Sequence, residues 1–278
     1  MMGISEERIT MFDFTEDEIK RYSRHIILPE VGGAGQKKIN GASVLLVGAG
    51  GLGAPVAYYL AAAGVGRIGI IDNDTVELSN LQRQIIHGMS DLGKNKAVSA
   101  METIHNLNPD IHVVTYQERV TSKNVFAFLE DYDIVVDGSD NFPTRYLVND
   151  ACVMKGKPLS HGAVFRFHGQ VMTILPGQGP CYRCLFREPP PPGMTATCEE
   201  AGVLGVLPGT IGLLQATEVL KLILGRGETL SGRLINYEAL EMEFRTIKVR
   251  RDPECPVCGE EPTVTALIDY EEFCRVNF

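Results

Sequence analysis

The sequence predicts an α/β fold built on a Rossmann-like, mostly parallel sheet with an antiparallel extension and an N-terminal helical arm. Short apolar runs that suit buried parallel strands alternate with helical patterns in the first half of the chain. From about residue 158 the pattern changes to β-rich runs interrupted by glycines, which is typical of antiparallel strands. We therefore expect one integrated domain over residues 1–278.

The N-terminal arm is predicted over residues 15–40. It begins with a helix at residues 15–27, where Thr15 and Glu18 have the spacing of a capping box. The following unit, residues 41–157, alternates strands and helices and is expected to have right-handed crossovers. Its predicted strands lie at residues 43–47, 67–71, 112–116 and 133–137. Its predicted helices lie at residues 52–63, 94–106 and 123–130.

The second half, residues 158–262, is predicted to combine antiparallel strands with one buried helix. The run EPPPPG at residues 188–193 is a stiff, extended loop, because its prolines have no backbone donors. Residues 209–224 are apolar on most faces, which favours a buried helix. Two more strands are predicted near residues 232–237 and 243–249, and residues 263–278 are predicted to form a tail.

Composition excludes several classes of function. The net charge of −9 weighs against a protein that binds nucleic acid directly, since such binding depends on neutralising phosphates with Lys and Arg. No apolar run approaches the roughly 20 residues that span a bilayer, so we expect no membrane segment. The acidic N-terminus lacks the pattern of a signal peptide, which predicts a cytoplasmic protein. The odd number of cysteines, seven, argues against a disulfide framework in that compartment.

A glycine-rich turn follows the first predicted strand. Gly48, Gly50 and Gly53 fit the pattern G-x-G-x-x-G between a strand and a helix, which is the context of a nucleotide-binding turn. Asp72 lies at the end of the next strand, where a carboxylate accepts hydrogen bonds from ribose hydroxyls. A purely structural turn is the alternative, and the combined context favours a bound adenine nucleotide.

The residues after Asp72 favour a triphosphate over a nicotinamide cofactor. Arg83 and Lys96 would stabilise the oxyanions at an attacked phosphorus and on departing pyrophosphate. A nicotinamide ring needs a flat, mostly apolar slot instead, so an NAD-dependent oxidoreductase is the less favoured interpretation. Each cation taken alone could also be a solvated surface side chain.

Asp140 follows the fourth predicted strand, at the edge of the sheet where ligands bind in open α/β folds. Its carboxylate could hold Mg²⁺ opposite the phosphates. It could equally cap the helix that starts near Pro143. The residues alone leave both alternatives open, and Asp137 is expected to be the more buried, structural carboxylate.

Four cysteines form two tight pairs, CYRC at residues 181–184 and CPVC at residues 255–258. Two Cys-x-x-Cys turns can supply the four thiolates of a tetrahedral, structural Zn²⁺ site. The alternative, a redox-active pair, usually opens a helix after a strand, and we predict no helix there. We therefore predict a structural zinc site with the ligands Cys181, Cys184, Cys255 and Cys258.

Several motifs follow one another in a fixed order: GAGGLG, D-x-D-x-V-x-x-S-N-L-Q-R-Q, K-x-x-x-A, D-x-x-D-N-x-x-x-R, PCYRC and CPVCG. Together they resemble the MoeB/ThiF family, bacterial relatives of ubiquitin-activating enzymes. The resemblance runs from Arg21 to about Gly259. It implies an enzyme that uses ATP and Mg²⁺ to adenylate the C-terminal Gly carboxylate of a ubiquitin-like sulfur carrier of the MoaD/ThiS type. The acyl-adenylate then gives a thiocarboxylate for molybdopterin, thiamine or thiolated tRNA.

The resemblance also implies roles for individual residues. Gly51 and Asp72 would contact the nucleoside, with Asp74 in the same motif. The phosphates would be held by Ser79, Asn80, Leu81, Gln82, Arg83 and Lys96. Asp140 with Asn141 would lie at the metal and triphosphate end, which favours the Mg²⁺ role of Asp140. Arg24 resembles an arginine that reaches into the partner subunit's ATP site, so a homodimer is implied.

Cys198 matches the lone cysteine that forms a thioester or acyl-persulfide with the carrier in some members of the family. Inert core packing is the alternative for a lone cysteine, and the acidic neighbour Glu199 would raise its pKa. The tail resembles the linker that precedes a rhodanese domain in longer members. A separate sulfur donor, a cysteine desulfurase or a rhodanese, is therefore implied.

Three rival functions accompany this prediction. They are the NAD-dependent oxidoreductase, a relative in the same superfamily that adenylates a small carboxylate or a tRNA base, and a zinc-bearing scaffold without adenylation. The paired Cys-x-x-Cys motifs and the proline-rich loop favour a protein substrate.

Overall fold

An eight-stranded sheet forms the centre of the molecule in the computed structural model, which describes residues 14–190, 201–268 and 270. Its strands are β1 (Ser43–Val47), β2 (Arg67–Ile71), β3 (His112–Tyr116), β4 (Ile134–Asp137), β5 (Leu159–Phe165), β6 (His168–Ile174), β7 (Arg233–Glu238) and β8 (Glu243–Lys248). Their order across the sheet is β3-β2-β1-β4-β5-β6-β7-β8. The strands β1 to β5 pair in parallel, and the pairs from β5 to β8 are antiparallel.

This arrangement confirms the predicted parallel sheet with an antiparallel extension, apart from one strand. The sequence places all strands after residue 158 in the antiparallel part, whereas β5 joins β4 in parallel before it turns into β6. The reason is the helix between β4 and β5, which returns the chain to the same end of the sheet, as a parallel crossover requires.

Eight numbered helices surround the sheet in the described part of the chain: α1 (Glu16–Ile26), α2 (Gly32–Gly41), α3 (Gly53–Ala63), α4 (Lys96–Leu107), α5 (Val125–Glu130), α6 (Phe142–Lys155), α7 (Tyr182–Leu185) and α8 (Val206–Leu224). Two short 3₁₀ turns lie between β2 and α4, at Leu78–Asn80 and Met89–Asp91. The capping box of α1 is present: the Thr15 hydroxyl accepts the Glu18 N–H, and the Glu18 carboxylate accepts the Thr15 N–H.

The long helix α8 packs against α3, β5 and β6. It begins three residues before the predicted start because Pro208 sits in its first turn, where proline costs no hydrogen bond. Among the described residues, α8 is the one helix long and apolar enough to cross a membrane by length and composition. The sequence predicts this helix over residues 209–224 only, so its apolar run is shorter there than in the structure. Gln215 of α8 is fully buried and donates to the carbonyls of Asp137 and Ser160 in the sheet.

Apolar side chains from successive strand residues pack on opposite faces of the sheet. Leu46 lies in a cluster with residues of α3 and α4, whereas Leu45 lies in a second cluster with residues of α5 and α6. Burial on both faces explains why these strands read as continuous apolar runs in the sequence. The carboxyl ends of the parallel strands are thereby held rigidly at one edge.

Candidate nucleotide site and cysteine cluster

A cavity of about 360 Å³ opens at the carboxyl ends of β1, β2 and β4. Because β1 lies between β2 and β4, the strand order reverses here, and ligands of open α/β sheets bind at such switch points. The predicted nucleotide-site residues that line the cavity are Gly48, Gly50, Gly51, Asp72, Asp74, Arg83, Lys96, Asp140 and Asn141. These residues come from five separate stretches of the chain, which the sheet brings to one place.

The glycine-rich turn requires glycine at two positions for different reasons. Gly48 has a φ of +99°, a conformation that side chains disfavour. A Cβ on Gly53 would lie 1.9 Å from the carbonyl oxygen of Gly48, so only glycine lets α3 start this close to β1. Gly53 thus acts through close packing and does not itself line the cavity.

Asp72 braces the turn from the end of β2. Its Oδ2 accepts the backbone N–H of Ala49 at 2.8 Å, and its Oδ1 accepts the N–H of Asp74 at 2.9 Å. Burial raises the pKa of Asp72, although these two hydrogen bonds oppose the effect. Each carboxylate oxygen has a second lone pair, so the side chain can still accept from a ribose hydroxyl.

The two predicted phosphate-binding cations both line the cavity. Lys96 is the first residue of α4, its side chain is 9% exposed, and its Nζ lies 2.9 Å from Oδ2 of Asp74. Arg83 donates from Nη1 to the carbonyl of Ser79 at 3.0 Å. A lysine ammonium has three donors and a guanidinium five, so both side chains keep donors for a ligand.

Asp140 does not cap α6. Asn141 is the cap, because its Oδ1 accepts the N–H of Thr144 at 2.9 Å. Asp140 is exposed at the cavity, where its Oδ1 accepts a long hydrogen bond of 3.4 Å from Nδ2 of Asn141. The carboxylate is therefore free of the competing structural role that the sequence left open.

Other predicted residues lie away from the cavity wall. Ser79, Asn80, Leu81 and Gln82 are not among its lining residues in the described part of the chain. The Asn80 side chain is buried and accepts the N–H of Glu77, which shapes the 3₁₀ turn. Gln82 packs against Gly205, where a Cβ would lie 2.2 Å from its Oε1. Arg24 is exposed on α1, off the cavity, and Cys198 lies outside the described residues.

Arg145 is a cavity residue that sequence reasoning missed. It is 7% exposed, lines the cavity, and has no hydrogen-bond partner at Nε. The signal was present, because Arg145 is the last residue of the motif D-x-x-D-N-x-x-x-R. Spacing could not show that the first turn of α6 aims this arginine back toward the end of β4.

Asp137 is the buried carboxylate that the sequence predicted. Its Oδ2 lies 2.8 Å from Nδ1 of His161, and its Oδ1 accepts both the N–H and the hydroxyl of Ser139. Burial alone would raise its pKa, but hydrogen bonding to His161 and further favourable contacts outweigh that effect and lower it. The side chain fixes the loop that carries Asp140.

The four paired cysteines converge as predicted. Their Sγ atoms lie within 4.8 Å of one another, with 3.6 Å between Cys181 and Cys255 and 3.4 Å between Cys184 and Cys258. A tetrahedral zinc site with Zn–S bonds of about 2.3 Å places its sulfurs roughly 3.8 Å apart, so the donor set fits Zn²⁺.

One detail of the cysteine loops differs from the prediction. Cys181 is the N-cap of the one-turn helix α7, whereas the sequence predicts no helix after this pair. The convergence of all four thiols nevertheless favours a shared metal ion over a redox pair. The cluster joins the loop after β6 to the segment after β8.

Comparisons with known proteins agree with this geometry. The sequence profile described as the ThiF family matches residues 22–257. The chain is 54% identical over 269 residues to the sulfur carrier protein adenylyltransferase of Thermus thermophilus, covering 95% of this chain and 99% of that protein. It is 52% identical over 261 residues to the SAMP-activating enzyme E1 of Haloferax volcanii, covering 94% and 96%.

A longer relative and a solved structure extend the comparison. The adenylyltransferase and sulfurtransferase MOCS3 of Sus scrofa is 51% identical, and the match covers 94% of this chain but 57% of that protein. The crystal structure of Escherichia coli MccB with AMPCPP and MccA is similar, with a TM-score of 0.76 and 25% identity. The match covers 89% of this chain and 75% of that one.

Proposed function

Because the chain belongs to the ThiF family, we propose that it is an ATP-dependent adenylyltransferase acting on a ubiquitin-like sulfur carrier protein. Its substrate is the C-terminal Gly carboxylate of that carrier, and its products are the acyl-adenylate and pyrophosphate. The observation that supports this most is one cavity at the sheet's switch point that combines a glycine turn, an exposed carboxylate and several cations, among them Arg83, Lys96 and Arg145. The names of the relatives in Thermus and Haloferax agree with it.

The cavity supports a displacement at the α-phosphorus. A carboxylate oxygen of the carrier forms a bond to Pα while the bond from Pα to the bridging oxygen breaks, and pyrophosphate leaves with the electron pair. Arg83 and Lys96 stabilise the charge that accumulates on the phosphate oxygens. Both reactants are anionic, so alignment and screening by cations matter more than a base, and no proton is transferred.

Asp140 and the phosphates of ATP would hold the magnesium ion. An exposed carboxylate at the mouth of the cavity suits Mg²⁺, which binds one or two carboxylates together with substrate phosphates. When bound, the ion neutralises part of the triphosphate charge. Asn141 orients Asp140 by capping α6 and donating to the neighbouring carboxylate.

The proposal includes partners and a compartment. The protein acts as a cytoplasmic homodimer in which Arg24 reaches the partner's ATP site. A separate cysteine desulfurase or rhodanese supplies sulfur after adenylation, and Cys198 is the candidate for a covalent intermediate. The thiocarboxylate then serves molybdopterin, thiamine or cysteine synthesis or tRNA thiolation.

Exchange of labelled pyrophosphate into ATP tests the proposed function. We expect exchange that requires Mg²⁺ and a carrier ending in Gly-Gly, and none with the same carrier truncated by its last glycine. Exchange supported by tRNA instead would favour the tRNA-base enzyme. Binding of NAD without binding of ATP would favour the oxidoreductase. If the protein showed neither pyrophosphate exchange nor NAD binding, the zinc-bearing scaffold would be favoured.

A further inference from the structure

A buried histidine lies directly behind the glycine-rich turn. His87 is 6% exposed and sits between that turn and α4. Its Nε2 lies 3.1 Å from the carbonyl oxygen of Ala49, and its Nδ1 lies 2.8 Å from the hydroxyl of Ser99. The residue ends the run SNLQRQIIH, yet none of the phosphate-binding roles considered above uses it.

The contact with Ala49 fixes a proton on Nε2, and burial of the ring favours its neutral form. A carbonyl oxygen can only accept, so Nε2 must carry a proton, and the Ser99 hydroxyl can then donate to an unprotonated Nδ1. Burial lowers the pKa of His87, which agrees with a neutral ring. Both nitrogens are satisfied in this single tautomer.

Ala49 is thereby fixed on both sides of its backbone. Asp72 accepts its N–H at 2.8 Å, and His87 donates to its carbonyl. Ala49 lies between Gly48 and Gly50, whose backbones line the cavity. The orientation of this peptide therefore sets where the turn presents its N–H groups to a ligand.

We propose that His87 is a positioning residue for the phosphates of ATP, acting through the carbonyl of Ala49. This inference rests on the proposed function. A histidine that merely fills the core would matter through its volume and burial. A positioning histidine matters through the donor at Nε2, and these two possibilities respond differently to the choice of amide at residue 87.

Substitution of His87 by Gln or by Asn distinguishes the roles of the two ring nitrogens. In His87→Gln the side-chain amide nitrogen falls near the position of Nε2, whereas in His87→Asn the shorter amide reaches only the region of Nδ1. We expect His87→Asn to weaken ATP binding roughly tenfold, the loss of about one hydrogen bond, while His87→Gln stays within about threefold of the wild type. Binding of adenosine, which lacks phosphates, should change little in either variant.

Isothermal titration of ATP and of adenosine into the purified protein measures both effects. His105, exposed on α4, provides the matched control, since His105→Asn and His105→Gln should bind ATP like the wild type. Equal ATP affinities for the Asn and Gln variants of residue 87 would overturn the inference. So would parallel losses of ATP and adenosine affinity.

A measurement on the wild type makes the inference testable even if a variant fails to fold. In ¹⁵N-histidine NMR spectra, His87 should be the Nε2–H tautomer, and its Nε2 signal should shift on adding ATP but not adenosine. An Nδ1–H tautomer, or no response to ATP, would contradict it. If the wild type bound no ATP at all, the proposed function would fail first, so the two failures are distinguishable.

Discussion

Lys96 has the most direct electrostatic role among single residues of the cavity. Its ammonium group is nearly buried and touches one carboxylate, that of Asp74, which is itself 60% exposed. A bound triphosphate would bring several negative charges to the same group. The ion pair of Lys96 with Asp74 therefore contributes little to the stability of the fold, whereas the lysine contributes much to the binding of a charged ligand.

Replacement of this lysine by an apolar side chain of similar length should remove catalysis without unfolding the protein. We expect Lys96→Met to lower kcat/KM in pyrophosphate exchange by about 100-fold or more, because the charge that develops in the transition state loses a donor. Lys94 is the matched control: it pairs with Asp91 and Glu102 and does not line the cavity. Lys94→Met with an equal loss of activity would refute the specific role of Lys96.

Sequence reasoning works at this scale where a role follows from spacing along one segment. Asp72 and Lys96 are predicted because they follow the glycine turn at the distance that a strand and a loop impose. The cap of α6 could not be assigned to Asn141 or Asp140, since both have capping chemistry and only the backbone angles decide. Gln82 depends on a contact with Gly205 in a distant segment, which no local pattern contains. Arg145 is different: it ends a local motif, but the motif does not show which way its side chain points.

At the scale of elements, the turn between β1 and α3 is the connection with the tightest steric constraint among the described residues around the cavity. The carbonyl of Gly48 would meet any Cβ at residue 53 at a distance shorter than any nonbonded contact. Backbone must shift to relieve it, and the shift would displace the start of α3 and the turn together. The pattern G-x-G-x-x-G is therefore required for packing as much as for ligand binding.

Two glycine-to-alanine variants test this constraint, because we expect one to lower the stability of the fold and the other to leave it unchanged or raise it. Gly53→Ala should lower the melting temperature by several degrees and abolish detectable ATP binding, because strain of this size costs well over 1 kcal/mol. Gly209 lies inside α8, where an added Cβ would have no other atom within 4 Å. Gly209→Ala should be neutral or stabilise by up to about 1 kcal/mol, as measured by thermal unfolding. Equal stability of the two variants would argue against the packing role of Gly53.

The cysteine cluster joins two elements that are distant in the sequence. It ties α7 to the segment after β8, and Tyr182 of α7 packs on the ring of His161 at 4.7 Å between centroids. His161 in turn contacts Asp137 at the end of β4. A metal ion bound by the four thiolates would therefore stabilise the wall of the cavity as well as the surface loops.

Removal of zinc should destabilise the fold. We expect about one zinc ion per chain. The variant Cys255→Ser should lose this ion, and its melting temperature should fall by several degrees. It should also lose adenylation activity. Cys152 is fully buried in α6 and apart from the cluster, so Cys152→Ala should keep its zinc. Metal analysis and thermal unfolding provide the readouts, and an unchanged zinc content in Cys255→Ser would contradict the site.

Most elements could be predicted because their periodic apolar pattern and their end signals agree. The exceptions have a physical cause. Helix α2 contains Gly32, Gly33, Gly35 and Gly41, residues that weaken a helix in isolation, and it forms because it packs on α8. Helix α7 is a single turn set by the cysteine cluster, too short for any periodic signal.

At the scale of the whole molecule, the position of the cavity follows from topology, whereas the proposed role of Arg24 requires a second subunit. The observed strand order creates a switch point beside β1, and the cavity lies there. Arg24 lies off this cavity, on the exposed face of α1. Large apolar side chains are also exposed near it and after β2, namely Ile27, Leu28, Ile85 and Met89. No pattern within one chain can reveal which surface a second copy covers.

A complementation experiment tests whether sites are shared between subunits. If Arg24 completes the partner's site, a heterodimer of Arg24→Ala and Lys96→Met has one site with both functional residues and one site that lacks both. Random assembly of the two inactive chains then restores about a quarter of wild-type exchange activity, since half of the dimers are mixed and half of their sites are intact. Co-expression with two different affinity tags isolates the mixed dimer, which should reach about half of the wild-type activity. If Arg24 acted within its own subunit, each site of the mixed dimer would lack one residue, and its activity would stay as low as that of either parent.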